Sequence, residues 1–201
     1  MTQQSGGGTC VRCSWAGTDA RMIAYHDTEW GRPVHDDRVH FEFLILETAQ
    51  AGLSWSTVLN KRDGYRRAFS DLDPEKVARF GAKKVEALML DSGIIRNRLK
   101  ITGAIHNAKE FLKIQDVFES FDNYCWKFVE GKPQKTIRRT KNDVPVTTVA
   151  SDAFSKDLKK RGFKFVGSTI MYAYMQAVGM VNDHTVGCIC CDLKHLPFSI
   201  T

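Results

Sequence analysis

The chain has 201 residues, a mass of 22.7 kDa and a formal net charge of +6 at pH 7. This length allows one hydrophobic core without a disulfide framework, and a hydrophobic content of 43% excludes collagen-like and wholly disordered chains. The apolar runs are far shorter than the roughly 18 residues of a membrane span, and the first residues do not resemble a signal peptide. We therefore expect a soluble, cytoplasmic protein with no membrane partner, whose positive charge permits a nucleic-acid partner.

Helical periodicity dominates the chain after a polar, glycine-rich stretch at residues 1–9, which we expect to be a flexible tail. From Val39 to Ala49, apolar residues recur at three- and four-residue spacing and predict a helix that carries Glu47 near its end. The Asp73-Pro74 pair is typical of a helix start. Further helices are predicted at 74–80, 82–91, 96–112, 117–128, 151–161 and 169–178.

Residues 132–149 interrupt this pattern. They contain two prolines and a cluster of basic residues without a helical period, so we predict a long surface loop. Ser151 is predicted to cap the helix that follows. Because strand signals are nearly absent, the sequence predicts an all-α fold of about eight helices.

Cysteine and histidine residues collect near the two ends of the sequence. Zinc favours four such ligands in a tetrahedral array, and a site that joins the two ends would stabilise a small helical fold. One solution pairs Cys10 and Cys13 with Cys188 and Cys191; the other places His184 and Cys188 on one helical face, with Cys13 and His26 as partners. Buried thiols and a core histidine are the alternative without a metal. A redox role for Cys10 and Cys13 is disfavoured because no βαβ pattern surrounds them.

Residues 84–99 predict two helices around a glycine turn and resemble a helix-hairpin-helix. In that motif the backbone amides at the tip, here those of Gly93 and Ile94, receive a phosphate oxygen while nearby basic side chains supply charge. The usual motif has a second glycine close after the first, where this chain has isoleucines. A plain helical corner is therefore the alternative.

Glu47 is a lone carboxylate on a mostly apolar helix, which is costly unless it is paired or has a function. Several flat aromatic side chains precede or follow it in the sequence. They could hold a base extruded from a nucleic acid, or they could be ordinary core residues. These side chains are Trp15, Tyr25, Trp30 and Trp55.

Six runs of sequence, in this order and nearly this spacing, resemble the bacterial 3-methyladenine DNA glycosylase I family of the Tag type. The likeness extends from about Cys13 to Cys191. The runs are Ile23 to Asp27, Glu29 to Gly31, Gln50 to Trp55, Ser92 to Arg96, Lys159 to Val166, and Val181 to His184 with Gly187 and Cys188.

The resemblance implies one DNA glycosylase domain at 10–201, with the helix-hairpin-helix glycosylase-like helical fold and a structural zinc ion that joins the N- and C-terminal segments. The implied ligands are Cys13, His26, His184 and Cys188. The implied pocket has Glu47 as its catalytic carboxylate. The implied base-binding residues are Tyr25, Trp30, Trp55, Trp15 and Gln50.

The implied reaction is the extrusion of 3-methyladenine from double-stranded alkylated DNA and hydrolysis of its N-glycosidic bond, which leaves an abasic site without strand cleavage. A zinc-stabilised DNA-binding module without catalysis is the competing hypothesis, but phosphate binding alone has no use for Glu47. A monomer is expected for a DNA-scanning enzyme of this size. The implied DNA contacts are Gly93, Ile94, Arg96, Arg98, Lys100, Lys160, Arg161 and Lys164.

Four residues need separate interpretation. Asp116 lies near the distance at which related glycosylases carry a catalytic aspartate, but we interpret it as the N-cap of a helix that begins at Val117. Met22 stands where relatives carry an aromatic residue, and Thr48-Ala49 replaces an expected glycine and glutamine. We expect these departures to alter the pocket wall rather than the chemistry.

Overall fold

The computed structural model describes residues 11–191. The predicted tail at 1–9 and Cys10 lie outside those residues. Within them the chain is mostly helical, as the periodicity predicts. The α-helices are α1 (Ala20–Thr28), α2 (Asp37–Gln50), α3 (Trp55–Leu59), α4 (Arg62–Ala68), α5 (Pro74–Ala78), α6 (Ala82–Leu90), α7 (Arg98–Phe118), α8 (Phe121–Trp126), α9 (Val149–Lys160) and α10 (Ser168–Ala177).

Short 3-10 helices and one small sheet connect these elements. The 3-10 helices are Ser14–Ala16, Ser70–Leu72, Lys127–Val129 and Lys141–Asp143. The sheet has two strands, β1 (Gln134–Lys135) and β2 (Val181–Asn182), which pair in parallel. Of the helices between residues 11 and 191, none is long and apolar enough to cross a membrane.

Side-chain caps set several helix starts. Asp73 accepts hydrogen bonds from the amides of Glu75 and Lys76, with Pro74 in the first turn of α5, so the predicted start is confirmed. The predicted cap of α9 is wrong. Thr148 caps that helix by accepting a hydrogen bond from the Ser151 amide, and the Ser151 hydroxyl accepts one from the Thr148 amide, which completes a capping box.

The predicted helix start at Asp116 is also wrong. Helix α7 continues without a break to Phe118, so Asp116 lies inside its last turn and is exposed. Ser120 caps α8 instead, through the Asn123 amide. The reason is that apolar spacing continues through Ile114 and carries α7 past the aspartate.

Helix α2 runs through the centre of the fold. Nine of its 14 residues are buried, including Glu47, and it packs against α3, α7, α8 and α10. A helix that is buried nearly all round must be covered by neighbours on every side. Phe41 of α2, with Phe111 and Phe121, supplies one of those packed faces. This arrangement places Glu47 inside the protein rather than on its surface.

Helices α6 and α7 meet at a corner formed by residues 91–97. Asn97 caps α7 through the Lys100 amide. The corner lies directly against α4, because a Cβ atom added at Gly64 would lie 2.0 Å from the carbonyl oxygen of Gly93. Glycine at position 64 therefore allows the two backbones to touch.

Residues 132–149 form a mainly irregular exposed segment, as predicted, but the segment is attached to the rest of the protein. Its strand β1 pairs with β2, and an isolated bridge joins Arg138 to Thr185. The Arg138 guanidinium donates to the Asp183 carboxylate at 2.8 Å. The segment is thus held beside residues 181–185.

Candidate active site and metal centre

The four side chains of the second predicted metal set converge in the structure. Cys13, His26, His184 and Cys188 are all buried, and their ligand atoms lie within 4.8 Å of one another. The Cys188 Sγ atom lies 3.4 Å from His26 Nε2 and 3.5 Å from His184 Nδ1. Cys13 Sγ lies 3.5 Å from His184 Nδ1. The set joins residues that are up to 175 positions apart in the chain.

These spacings fit a tetrahedral zinc ion. Zinc bonds of about 2.3 Å to sulfur and about 2.0 to 2.1 Å to nitrogen place neighbouring sulfur and nitrogen ligands about 3.5 Å apart. The remaining ring nitrogens also have partners: His26 Nδ1 lies 2.8 Å from an Asp27 oxygen, and His184 Nε2 lies 3.1 Å from the Trp30 carbonyl oxygen. Such partners orient ligating imidazoles.

One local expectation about this cluster is wrong. His184 and Cys188 do not lie on a helix; they lie in the turn that follows β2. The turn nevertheless brings Cys188 Sγ to within 3.5 Å of His184 Nδ1. The four-cysteine solution includes Cys10, which lies outside the described residues. Cys188 itself contacts the two histidines.

A cavity of about 390 Å³ lies beside this cluster. All the predicted base-binding residues line it, together with Glu47. Several residues that the sequence did not single out for the pocket line it as well. The complete lining is Cys13, Ser14, Trp15, Met22, Tyr25, Trp30, Glu47, Gln50, Trp55, Lys141, Val144, Ala173, Gln176, Asp183 and Thr185.

Aromatic rings form one connected wall of the cavity. The ring centroids of Trp15 and Trp30 are 4.8 Å apart, and those of Tyr25 and Trp55 are 5.1 Å apart. Trp15 and Tyr25 join the two pairs at 6.2 Å. Trp15 and Trp30 also contact the ring of His26, so the cysteine–histidine cluster lies directly behind this wall.

Glu47 is the one carboxylate of the cavity that lacks a counter-charge among the described residues. Its side chain is 3% exposed, and its Oε2 atom has no hydrogen-bond partner within residues 11–191. Burial raises the pKa of Glu47 from 4.5 to about 8. The indole nitrogens of Trp15 and Trp55 are likewise buried without a partner in the described part of the chain. Unsatisfied buried polar atoms around a cavity are typical of a binding site.

Asp183, the other carboxylate of the cavity, has an opposite environment. It accepts hydrogen bonds from Thr136, Arg138, Tyr172 and Gln176. These contacts outweigh its burial and lower the pKa of its carboxyl. Asp183 is therefore an ionised structural residue. The sequence analysis did not single out Asp183 for the pocket, although it lies in the motif run from Val181 to His184.

The two departures from the family pattern lie in different places. Met22 lines the cavity. Thr48 does not; its hydroxyl donates to the Ile45 carbonyl within α2, and Thr48 and Ala49 line a separate space of about 10 Å³. Only the methionine alters the wall of the large cavity.

The α6–α7 corner carries the first predicted group of DNA contacts. The Gly93 amide donates to the Asp91 carboxylate at 2.7 Å, and Ile94 is buried. Arg96 is exposed and forms no ion pair with any described residue. Arg98 forms an ion pair with Glu86 at 2.6 Å.

Lys100 has a different partner. Its ammonium donates to the carbonyl oxygens of Ala49 and Ala51, at 2.7 and 2.6 Å. These carbonyls lie at the C-terminal end of α2, where a cation is favourable. Lys100 therefore ties the corner to the end of the helix that carries Glu47.

The second predicted group lies at the end of α9. Lys160 and Lys164 are exposed. Arg161 is bound to Asp157 at 2.6 Å, and its guanidinium lies over the rings of Phe118 and Tyr124. The Arg161 guanidinium is therefore already paired with a carboxylate of the protein.

Comparisons with known proteins place the chain in a family. The family model described as methyladenine glycosylase matches residues 15–191. The chain is 52% identical over 179 residues to DNA-3-methyladenine glycosylase 1 of Escherichia coli (strain K12), covering 89% of this chain and 96% of the relative. A crystal structure of 3-methyladenine DNA glycosylase I superposes with a TM-score of 0.88 at 50% identity, covering 90% of this chain and 99% of that one. A structure of the Staphylococcus aureus enzyme gives 0.87 at 35% identity, with 90% and 97% covered. The chain belongs to the methyladenine glycosylase family.

Proposed function

We propose that this protein removes 3-methyladenine from alkylated double-stranded DNA by hydrolysis of the N-glycosidic bond, leaving an abasic site. The observation that carries the proposal is the buried, unpartnered carboxyl of Glu47 in a cavity walled by aromatic rings. A solved relative that is 34% identical was crystallised in complex with 3-methyladenine. The Escherichia coli and Haemophilus influenzae relatives bear the name of this activity.

The cavity selects the damaged base by its charge. Methylation at N3 gives the purine in DNA a formal positive charge and makes it a good leaving group. An aromatic face contributes about 0.5 to 2 kcal/mol to the binding of a cation, and the wall of tryptophan and tyrosine rings supplies such faces. Neutral adenine would lack this contribution.

Glu47 would then act as the electrostatic partner of the base. A positive charge beside a buried carboxyl favours its ionised form, so the cationic purine would lower the pKa that burial raises. The ionised carboxylate would accept a hydrogen bond from the adenine edge and stabilise the cation. With a leaving group already activated by methylation, the enzyme needs only modest chemical assistance.

The target nucleotide must leave the DNA stack to enter the cavity, at a cost of a few kcal/mol that base damage reduces. We propose that Arg96, Lys160 and Lys164 contact phosphates in the duplex. Arg98, Lys100 and Arg161 are omitted from this set, because their charged groups are engaged within the protein. The amides of Gly93 and Ile94 donate to Asp91 within the corner at residues 91–97, so Arg96 is the contact that this corner would supply.

A structural zinc ion is the second part of the proposal. Cys13, His26, His184 and Cys188 would hold it. A closed site of four protein ligands supplies a cross-link rather than a reactive centre. Because Cys13 also lines the cavity, this cross-link would fix the position of the Trp15 and Trp30 wall.

We further propose that no lysine forms a covalent intermediate, so the enzyme does not cleave the strand. An amine nucleophile must lose its proton, which burial in an apolar site favours. The lysine that lines the cavity, Lys141, is exposed and therefore lacks such an apolar environment.

The test is release of free 3-methyladenine from methylated duplex DNA by the wild-type protein, by Glu47→Gln and by Trp55→Ala. We expect release by the wild type and a large reduction in both variants. Glu86→Gln is the matched control, since Glu86 lies on the surface in a pair with Arg98. Duplex binding without release by the folded wild type would refute the proposal and favour a DNA-binding module.

A further inference from the structure

Residues 132–149 contain a concentration of positive charge that the proposed function leaves unused. Five of these residues are basic and one is acidic, so the segment has a net charge of +4 in a chain whose net charge is +6. The basic residues are Lys132, Lys135, Arg138, Arg139 and Lys141.

Most of this charge is exposed and not neutralised. Arg138 is bound to Asp183, but the other four basic side chains form no ion pair with any residue between 11 and 191. The single acidic residue, Asp143, accepts hydrogen bonds from the amides of Arg139 and Thr140 at 2.7 and 2.8 Å. Its carboxylate thus orders the backbone of the segment.

The segment is also held in a defined position. Strand β1 pairs with β2 at Gln134 and Lys135, and the Arg138 guanidinium donates both to Asp183 and to the Asp143 carbonyl. Thr140 and Asp143 close a capping box around the 3-10 helix that begins with Lys141. These contacts fix the backbone from which the basic side chains extend.

Lys141 connects this charge to the cavity. It is exposed, yet it is one of the residues that line the cavity, together with Val144 of the same segment. A side chain that meets both conditions lies at the cavity mouth. A nucleotide whose base occupied the cavity would keep its phosphates outside, at this mouth, where an ammonium is favourable.

We propose that residues 132–149 form a phosphate-binding surface at the cavity mouth, and that Lys141 contacts the DNA backbone beside the extruded nucleotide. The partner is the DNA strand that carries the damaged base. The inference rests on the proposed function, because it needs a nucleotide in the cavity. This surface is distinct from the corner at 91–97 and from the end of α9.

The experiment measures the affinity of the full chain for a duplex that contains an uncleavable analogue of the 3-methyladenine nucleotide, across a series of salt concentrations. Each phosphate contact adds about 0.9 to the slope of log affinity against log salt. Lys141→Gln should reduce the slope by about 0.9, so its affinity should fall about 3.5-fold less than that of the wild type between 50 and 200 mM salt. A combined variant with Lys135→Gln and Arg139→Gln should reduce the slope further.

Two controls separate a local contact from general charge. Lys109 is an exposed lysine of α7 that lines none of the cavities described above and forms no ion pair with a described residue. Lys109→Gln removes the same charge and should leave the slope unchanged. In addition, a neutral methylphosphonate next to this nucleotide analogue should weaken binding by the wild type but not by Lys141→Gln.

Equal slopes for the wild type and Lys141→Gln would overturn the inference, as would equal effects of Lys109→Gln and Lys141→Gln. Release of 3-methyladenine by the wild type is measured in parallel. If the wild type binds the duplex but releases no base, the proposed function fails while the slopes still decide the role of Lys141. If it does not bind the duplex at all, both proposals fail.

Discussion

Replacing Glu47 with glutamine should remove a pH-dependent contribution to the stability of the folded protein. Burial raises the pKa of this carboxyl from 4.5 to about 8, so between these values the folded protein keeps a proton that the unfolded chain has released. Stability is then highest below pH 4.5 and is lost as the pH rises through about 8. Glutamine has the shape of the protonated acid but does not titrate.

The size of the effect follows from the two pKa values. A tenfold change in an ionisation equilibrium corresponds to about 1.4 kcal/mol, so the full contribution is roughly 5 kcal/mol. Between pH 6 and pH 8 the wild type should lose about 2 kcal/mol of its free energy of unfolding relative to Glu47→Gln. The free energy of unfolding of Glu47→Gln should therefore increase relative to that of the wild type as the pH rises.

Urea denaturation of both zinc-saturated proteins at several pH values between about 6 and 8 measures this difference. All other titrating groups are common to the two proteins and cancel. Glu86→Gln is the control: its carboxyl is exposed and paired with Arg98, which lowers its pKa, so it is ionised throughout this range. A stability difference between wild type and Glu47→Gln that does not change with pH would refute the assignment of a protonated, buried Glu47.

Three further predictions concern the metal, the corner and the chemistry. Elemental analysis of the wild type should find one zinc ion per chain. Cys188→Ala should lose this zinc and have a lower melting temperature. Cys125→Ala is the control and should retain the zinc, because Cys125 is a buried core residue. Gly64→Ala should destabilise the protein by about 1 to 3 kcal/mol in urea denaturation, since its Cβ would overlap Gly93; Gly81→Ala, where no atom lies within 4 Å, should not. Borohydride reduction during turnover should trap no protein–DNA adduct, and an adduct would contradict the absence of a lysine nucleophile.

Much of this protein could be predicted from local sequence patterns. Helical periodicity identified most helices, because burying one face of a helix imposes a spacing that is visible in the residues themselves. The ordered runs of motif residues identified the family, and the family model confirms that prediction. The convergence of Cys13, His26, His184 and Cys188 also agrees with the set that the resemblance implies.

The errors arose where local signals competed. Both Ser151 and Asp116 are good cap residues in isolation, and sequence alone does not show whether such a residue begins a helix or lies within one. In α9 the cap is Thr148, with Ser151 as its reciprocal partner. At Asp116 the packing of α7 continues through the position, and burial of Ile114 outweighs a local hydrogen bond.

The sequence by itself determined the helical class, the family and the residue types of the site. Only the tertiary structure decided how those residues are arranged and which further residues join them around the cavity. Helices α3, α7, α8 and α10 cover α2 and leave the Glu47 carboxyl without a partner among the described residues. Lys141 reaches the cavity mouth because a two-residue strand pairing and the Arg138–Asp183 ion pair hold residues 132–149 beside it. Contacts between residues so distant along the chain depend on packing, which leaves no period or spacing in the sequence to reveal them.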